Sequence, residues 1–190
     1  MAATTPGGFT IEESARRLGN FRWIEMRLFE LLGGWVALTP EPEIKVWLAD
    51  ESRHHGWHSE LLEERLPEVR DLSPERQTVA PDAAFAALVE ALGTVDGDRA
   101  TIGRLTALTH VVLPHLTDAY RAHLERCTPV ADRAVTRTLG FIVADLTAEA
   151  LTAGALLDSI VRDDDDAAVL VERRAAFEAL LAASAGISGP

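Results

Sequence analysis

The sequence predicts an all-α protein whose main body is a four-helix bundle made of two antiparallel helical hairpins. Four segments longer than 24 residues repeat their apolar side chains with the period of a helix, whereas no stretch of useful length alternates as a strand would. Short turns connect the paired segments, which is what a bundle of antiparallel neighbours requires.

The first helix is predicted over residues 11–38. Thr10 is a suitable N-cap, and Glu13 three positions later completes a capping box. Residues 1–10 precede it as a flexible lead-in. The pair Gly33–Gly34 predicts either a frayed end or a close crossing with another helix.

The turn sequence "TPEPE" at residues 39–43 starts a second helix, predicted over 41–66 and ending near Pro67. A polar connection, 70–81, leads to a short helix over 82–92. This short helix is predicted to lie in the crossover between the two hairpins.

The second half adds three helices, predicted over residues 99–126, 130–161 and 167–184. Pro114 lies inside the first of them and predicts a kink, because proline lacks the N–H that continues a helix. The acidic run at 163–166 favours the N-terminus of the last helix. That helix is expected to pack outside the bundle or against a second subunit.

The composition predicts one soluble domain over residues 11–184, with a tail at 185–190. The formal net charge of −12 disfavours nucleic-acid binding and docking to an anionic membrane, since both need clustered Lys and Arg. No stretch approaches 18 consecutive apolar residues, so no membrane span is predicted.

A single cysteine, Cys127, excludes an intrachain disulfide and suits a reducing cytoplasm. The start of the chain lacks the pattern of a signal peptide, which also predicts a cytoplasmic protein. One lysine, Lys45, among 18 basic residues is typical of a GC-rich, bacterial genome.

Three glutamates, Glu25, Glu51 and Glu149, lie near the midpoints of long predicted helices and face inward when each residue advances 100°. A buried carboxylate is costly unless it is paired, hydrogen-bonded or bound to a cation. An arginine such as Arg22 could pair with Glu25. Histidines or a metal ion would also supply the positive charge.

The second helix carries a carboxylate and three histidines in the stretch "ESRHHGWH": Glu51, His54, His55 and His58. Two interpretations stay open for this cluster. It is either a metal or catalytic site, or a helix with one or two hydrogen-bonded core histidines and the rest in solvent.

Two hairpins, a longer crossover, an inward Glu25 and an E-x-x-H formed by Glu51 and His54 resemble the ferritin-like superfamily. Its di-iron members hold a Glu from each of two helices and an E-x-x-H from each of the other two. The resemblance implies iron, or else manganese, bound by Glu25, Glu51 and a histidine of the second helix, His54 or His55. The second half departs from the pattern, with Asp145 and Glu149 in place of a second E-x-x-H.

The resemblance implies a non-haem iron oxidoreductase that acts on a small organic substrate, with His58 or Glu149 as a further ligand or proton carrier. Tyr120 and His123, one turn apart, suit a hydrogen-bonded pair that lines a pocket. Because imidazoles must be neutral to bind a metal, metal loss at mildly acidic pH is expected. The alternative is a metal-free protein, serving as a binding or assembly module or as a Glu/His acid–base enzyme.

All four tryptophans lie in the first hairpin. The angular count places Trp35 and Trp47 inward and Trp23 and Trp57 elsewhere. An outward tryptophan on a long helix is often covered by another helix or by a partner, so a homodimer through the first hairpin is predicted.

Overall fold

The computed structural model describes residues 8–189, and the all-α prediction is confirmed: no strand occurs among these residues. In chain order the helices are α1 (Ile11–Leu38), α2 (Pro42–Glu63), α3 (Pro74–Gln77), α4 (Ala83–Gly93), α5 (Ala100–Ala107), a π-helical turn (Leu108–Val112), α6 (Leu113–Arg126), α7 (Arg133–Ile160) and α8 (Asp164–Ala182).

Two helical hairpins form the centre of the fold. Helix α1 packs along α2, α6 packs along α7, and α7 also contacts α2 and α5. One continuous apolar core joins the hairpins, and α8 covers α4 and α5 from outside. Fully buried members of this core include Phe21, Ile24, Leu28, Leu32, Leu62, Leu116, Leu139, Ile142 and Leu146.

The capping box predicted at the start of α1 is confirmed. The Glu13 N–H donates to Thr10 Oγ1 at 3.2 Å, and the Thr10 N–H donates to Glu13 Oε2 at 2.9 Å. The helix continues through both glycines. Gly33 faces α2, and a Cβ atom at this position would lie 3.0 Å from Ser52 Oγ. Gly33 therefore permits a close helix crossing, and the end of α1 does not fray.

The predicted fourth helix contains a π-helical turn, Leu108–Val112, just before Pro114. In this turn the Leu113 N–H donates to the Leu108 carbonyl, five residues back. A π turn inserts one extra residue and so rotates the helix that follows. At the place where a kink was predicted, the structure therefore has this π-helical turn, two residues before Pro114. The turn shifts the angular positions of the residues that follow it in α6.

Several predicted boundaries differ from the structure at polar turns. Helix α8 begins at Asp164, three residues early, because the Asp163 side chain caps it by accepting the Asp166 N–H at 2.8 Å. Helix α7 begins at Arg133, not residue 130, because Asp132 Oδ2 accepts the Thr128 N–H at 2.7 Å and holds a turn.

The polar connection at residues 70–81, for which no helix was predicted, contains α3, which lies against α1. The contact is closest at Gly19, where a Cβ atom would lie 2.1 Å from the Gln77 carbonyl oxygen. This approach fixes the crossover to the first hairpin and is possible only without a side chain at position 19.

The C-terminal tail packs onto the helices. Ile187 is fully buried, and its N–H donates to His115 Nε2 at 2.9 Å. The next residue, Ser188, accepts from Arg16 and Arg17 of α1. Most of the predicted lead-in, residues 1–7, lies outside the described residues.

Trp35 and Trp47 are buried, as the angular count predicted. The ring of Trp23 lies 6.3 Å from that of Phe85, so α4 of the same chain contacts one of the two outward tryptophans. Trp57 is 47% exposed. The homodimer stays a prediction that Trp57 alone now supports.

Among residues 8–189 one helix, α7, has the length and mean hydropathy of a candidate membrane span. A single helix of this kind is weak evidence, since core helices of soluble proteins meet the same criteria. Helix α7 carries Glu149 into the protein core. Of its most apolar 18-residue window, 28% is buried within the protein.

Two glycine substitutions in α1 should have opposite effects on stability. Gly19→Ala should lower the free energy of unfolding by about 2 kcal/mol or more, because its Cβ would overlap rigid backbone at Gln77. Gly34→Ala should raise it by about 0.5–1 kcal/mol, because the position is helical and nothing lies near its Cβ. Urea unfolding of both variants measures this, and an unchanged Gly19→Ala protein would contradict the packing described.

Candidate metal centre

The carboxylate of Glu25, on α1, lies at the centre of a buried polar network. His55 Nδ1 lies 2.6 Å from Glu25 Oε2, and His58 Nδ1 lies 3.3 Å from the same oxygen. The Tyr120 hydroxyl donates to the other oxygen, Oε1, at 2.7 Å. Two helices, α2 and α6, therefore bring polar groups to this carboxylate of α1.

A second pair of carboxylates lies behind the histidines. His55 Nε2 is 3.2 Å from Glu149 Oε1, and His58 Nε2 is 3.0 Å from Asp145 Oδ2. Both carboxylates belong to α7. Each imidazole therefore lies between Glu25 on one side and a carboxylate of α7 on the other.

Helical spacing explains why these groups meet. His55 and His58 are three residues apart on α2, and Asp145 and Glu149 are four apart on α7, so each pair shares one helix face. Helix α2 packs against both α1 and α7, which places its two histidines between them.

The network is buried except at one end. Glu25 and His55 are 0% exposed, and His58 and Glu149 are nearly so. The Asp145 side chain is 43% exposed. Asp145 therefore links the buried groups to solvent.

Mutual interaction outweighs burial in setting the pKa values. Burial alone would raise the pKa of Glu25, but the charge and hydrogen bonds of His55 and His58 hold it well below its usual range. Burial alone would lower the pKa of His55, but Glu149 and Glu25 raise it well above 6.5. The pKa of His58 is raised in the same way by Glu25 and Asp145.

Burial, and then the charge of Glu25, raises the pKa of Tyr120 well above its usual value. The phenol therefore stays protonated and donates to Glu25. This hydrogen bond holds one oxygen of Glu25, so that the other faces both histidines.

Glu25, His55 and His58 can hold a metal ion together, because one ligand atom from each lies within 4.8 Å of the others. Two histidines and one carboxylate are a common donor set for zinc and for non-haem iron. Glu149 and Asp145 occupy the positions of the carboxylates that orient metal-binding histidines from behind.

Two protons on the imidazoles, or one divalent cation, add the same positive charge to this network. With both imidazoles protonated, two positive charges face the carboxylates of Glu25, Asp145 and Glu149. With both imidazoles neutral, one divalent cation supplies the same two charges. Metal binding must therefore release protons, and acidic pH must oppose it.

The E-x-x-H predicted as a ligand pair lies beside this group. Glu51 Oε2 lies 3.1 Å from His54 Nδ1, and the His54 side chain is 42% exposed. Burial, and then the charge of Glu149, raises the pKa of the half-buried Glu51. The charge of Glu149 thus acts on Glu51. The histidines that contact Glu25 are His55 and His58, which form an H-x-x-H.

Other predicted partners are arranged differently. Arg22, considered as an ion-pair partner for Glu25, contacts Glu63 at 2.9 Å. Tyr120 and His123 do not pair with each other: His123 Nδ1 accepts from Arg17 Nε at 3.4 Å, and its ring stacks on Phe9 at 4.4 Å.

Asp145 is the network residue that was not among the predicted ligands or catalytic residues and that entered only, with Glu149, in place of a second E-x-x-H. The available signal was its spacing of four residues before Glu149, which puts both carboxylates on one face. Its contact with His58 depends on how α7 packs against α2, which helical spacing does not give.

Comparison of the chain with models of protein families, with curated proteins and with solved structures finds no match. The chemistry of this protein therefore has to be argued from its own residues.

The two adjacent histidines of α2 provide a matched pair of variants for metal binding. We expect wild type and His54→Asn to bind one divalent ion per chain, and His55→Asn to bind at least 100-fold more weakly. Tyr120→Phe should weaken binding by about tenfold, because it releases Glu25 without removing a ligand. Equilibrium dialysis against Fe²⁺, Mn²⁺ and Zn²⁺ with elemental analysis measures this, and circular dichroism checks folding.

Loss of metal in His54→Asn together with retention in His55→Asn would show that the ion binds at the E-x-x-H instead. Absence of binding by wild type to all three ions would contradict a metal centre.

His123 should make stability depend on pH. Burial, and then the charge of Arg17, lowers its pKa from 6.5 to about 4 although Asp132 opposes this. As pH falls, the imidazole of His123 is therefore protonated at a higher pH in the unfolded chain than in the folded protein. His123 contributes stability that is present above pH 6.5 and lost as pH falls toward 4, on the order of 3 kcal/mol.

Urea unfolding between pH 4 and pH 7 tests this with His123→Gln, whose free energy of unfolding should fall less steeply toward acidic pH than that of wild type. His54→Asn serves as the control and should follow wild type. Equal slopes for wild type and His123→Gln would contradict the prediction. Contributions of the other histidines cancel in the comparison.

Proposed function

We propose that this protein is a ferritin-like non-haem iron oxidoreductase that acts on a small organic substrate. Its centre would be mononuclear, with Glu25, His55 and His58 as ligands. The observation that carries the proposal is the convergence of this donor set, with a carboxylate behind each histidine. Two histidines and one carboxylate on one side of an ion leave its other positions open, as in non-haem iron oxygenases.

The resemblance to the ferritin-like superfamily rests on the helical architecture and on Glu25, His55 and His58, which replace the predicted ligand set of Glu25, Glu51 and His54 or His55. In a ferritin-like arrangement, Glu25 and the H-x-x-H formed by His55 and His58 would take the places of the Glu and the E-x-x-H of a di-iron protein. Tyr120 would take the place of the Glu of the third long helix. This set supports one metal ion better than two.

Bound iron would supply the redox chemistry for activating dioxygen. The protein residues would orient the ligands and move protons. Glu149 accepts from His55 Nε2 and Asp145 from His58 Nε2, which directs each Nδ1 toward Glu25. Since Asp145 is the partly exposed member, a proton would pass between His58 and solvent through its carboxylate.

A metal-free acid–base function is the second candidate, and the raised pKa values of His55 and His58 favour it. In that case the imidazolium groups alone would balance the carboxylates. His58 and Asp145 would then exchange protons with a substrate at the exposed end. Metal content decides between the two candidates, because only the first needs an ion.

Oxygen uptake tests the oxidoreductase function. Protein loaded anaerobically with one Fe²⁺ per chain should consume dioxygen and form ferric iron at least tenfold faster than the same concentration of free Fe²⁺. An oxygen electrode and ferric absorbance measure this. His54→Asn should behave as wild type, and His55→Asn should be no faster than free iron.

Oxidation no faster than that of free Fe²⁺, with iron bound in the stoichiometry above, would contradict the oxidoreductase function and leave the metal site standing.

A further inference from the structure

A cavity of about 530 Å³ lies on the surface between the second half of α2 and the first half of α7. Its walls include Leu61, Arg65, Arg133, Arg137 and Phe141, and these residues together are called the α2–α7 groove below. Its volume falls in the range of small-molecule sites, which is roughly 300–1,000 Å³.

The α2–α7 groove concentrates positive charge in an acidic protein. The chain has 30 acidic and 18 basic residues, yet three arginines line this groove against one carboxylate, Glu64. Glu64 pairs with Arg65 at 2.7 Å. Within residues 8–189, Arg133 and Arg137 have no carboxylate within 4.0 Å.

Helical spacing makes this charge costly without a ligand. Arg133 and Arg137 are four residues apart on α7, a spacing at which like charges repel and destabilise a helix. An anion between them would remove the repulsion. Arginine is also well suited to carboxylates, because its planar guanidinium donates two parallel hydrogen bonds.

The rest of the wall is apolar. Phe141 is 50% exposed, and the Arg137 guanidinium lies 5.7 Å from the centre of its ring. Leu61 faces the groove from α2. The groove therefore offers an anion site beside an apolar surface that a hydrocarbon or aromatic body would cover.

The α2–α7 groove lies next to the exposed end of the network. Phe141 precedes Asp145 by four residues on α7, and Leu61 follows His58 by three on α2. Both separations are about one helical turn, or about 5 Å along the axis. A ligand anchored at Arg133 and Arg137 would extend its apolar body toward Asp145.

We propose that the α2–α7 groove binds a small organic carboxylate with an aromatic or aliphatic body. Arg133 and Arg137 bind the carboxylate, and Phe141 and Leu61 contact the body. That this carboxylate is the substrate rests on the proposed function; that the groove binds it does not.

Calorimetric titration of the metal-free full chain with two probes of equal shape and opposite charge tests the proposal. We expect 2-naphthoate to bind, and 2-naphthylmethylammonium to bind at least tenfold more weakly. The double variant Arg133→Gln/Arg137→Gln should lose at least tenfold in affinity for 2-naphthoate. Phe141→Ala should also weaken binding, because it removes the apolar wall.

The matched control is Arg53→Gln/Arg174→Gln, which removes two exposed arginines that pair with Asp50 and Glu178 and do not line the groove. It should bind 2-naphthoate as wild type does. Circular dichroism and urea unfolding check that each variant folds.

Equal affinity for both probes, unchanged affinity in the Arg133→Gln/Arg137→Gln variant, or no binding at millimolar 2-naphthoate would each overturn the proposal. A dimer in sedimentation that dissociates in this variant would also overturn it, since the groove would then bind a second copy. Metal binding does not enter these titrations. If the protein binds no metal but binds 2-naphthoate, only the proposed function is refuted. If it binds metal but not 2-naphthoate, only the proposal for the groove is refuted.

Discussion

The carboxylate of Glu25 imposes the main constraint on this structure. It is completely buried and ionised, and an unpaired charge in that position would cost several kcal/mol or more. Its partners come from α2 and α6, and α7 supplies the carboxylates behind them. The relative register of four long helices is therefore tied to one side chain, because sliding any of them would break a buried hydrogen bond.

The same constraint explains how one cluster can serve with or without a metal ion. Three carboxylates surround two imidazoles, and either two protons or one divalent cation brings the same positive charge among them. The protein therefore does not need a metal to keep the network paired. The ligands are already oriented, so binding an ion replaces protons and requires little rearrangement.

The electrostatic character changes along the seam between α2 and α7. The buried part is rich in carboxylates. About one helical turn beyond the partly exposed Asp145 the surface becomes apolar at Phe141, and about two to three turns beyond Asp145 it becomes arginine-rich at Arg137 and Arg133. A buried site that favours cations thus lies next to a surface groove that favours organic anions. Asp145 lies at the boundary, in contact with His58 on the inner side and with solvent on the outer side.

The sequence alone determined the helical class, the capping box at Thr10, most helix bounds to within three residues, and the inward position of Glu25 and Glu149. These follow from local chemistry and from helical period. Only the tertiary structure decided that His55 and His58 contact Glu25 while Glu51 and His54 pair beside them. The period of one helix places residues on a face but does not give the distance or register of the helices packed against it. Which side chains contact Glu25 is therefore decided by how α2 and α6 pack against α1, and which carboxylates lie behind the histidines is decided by how α7 packs against α2.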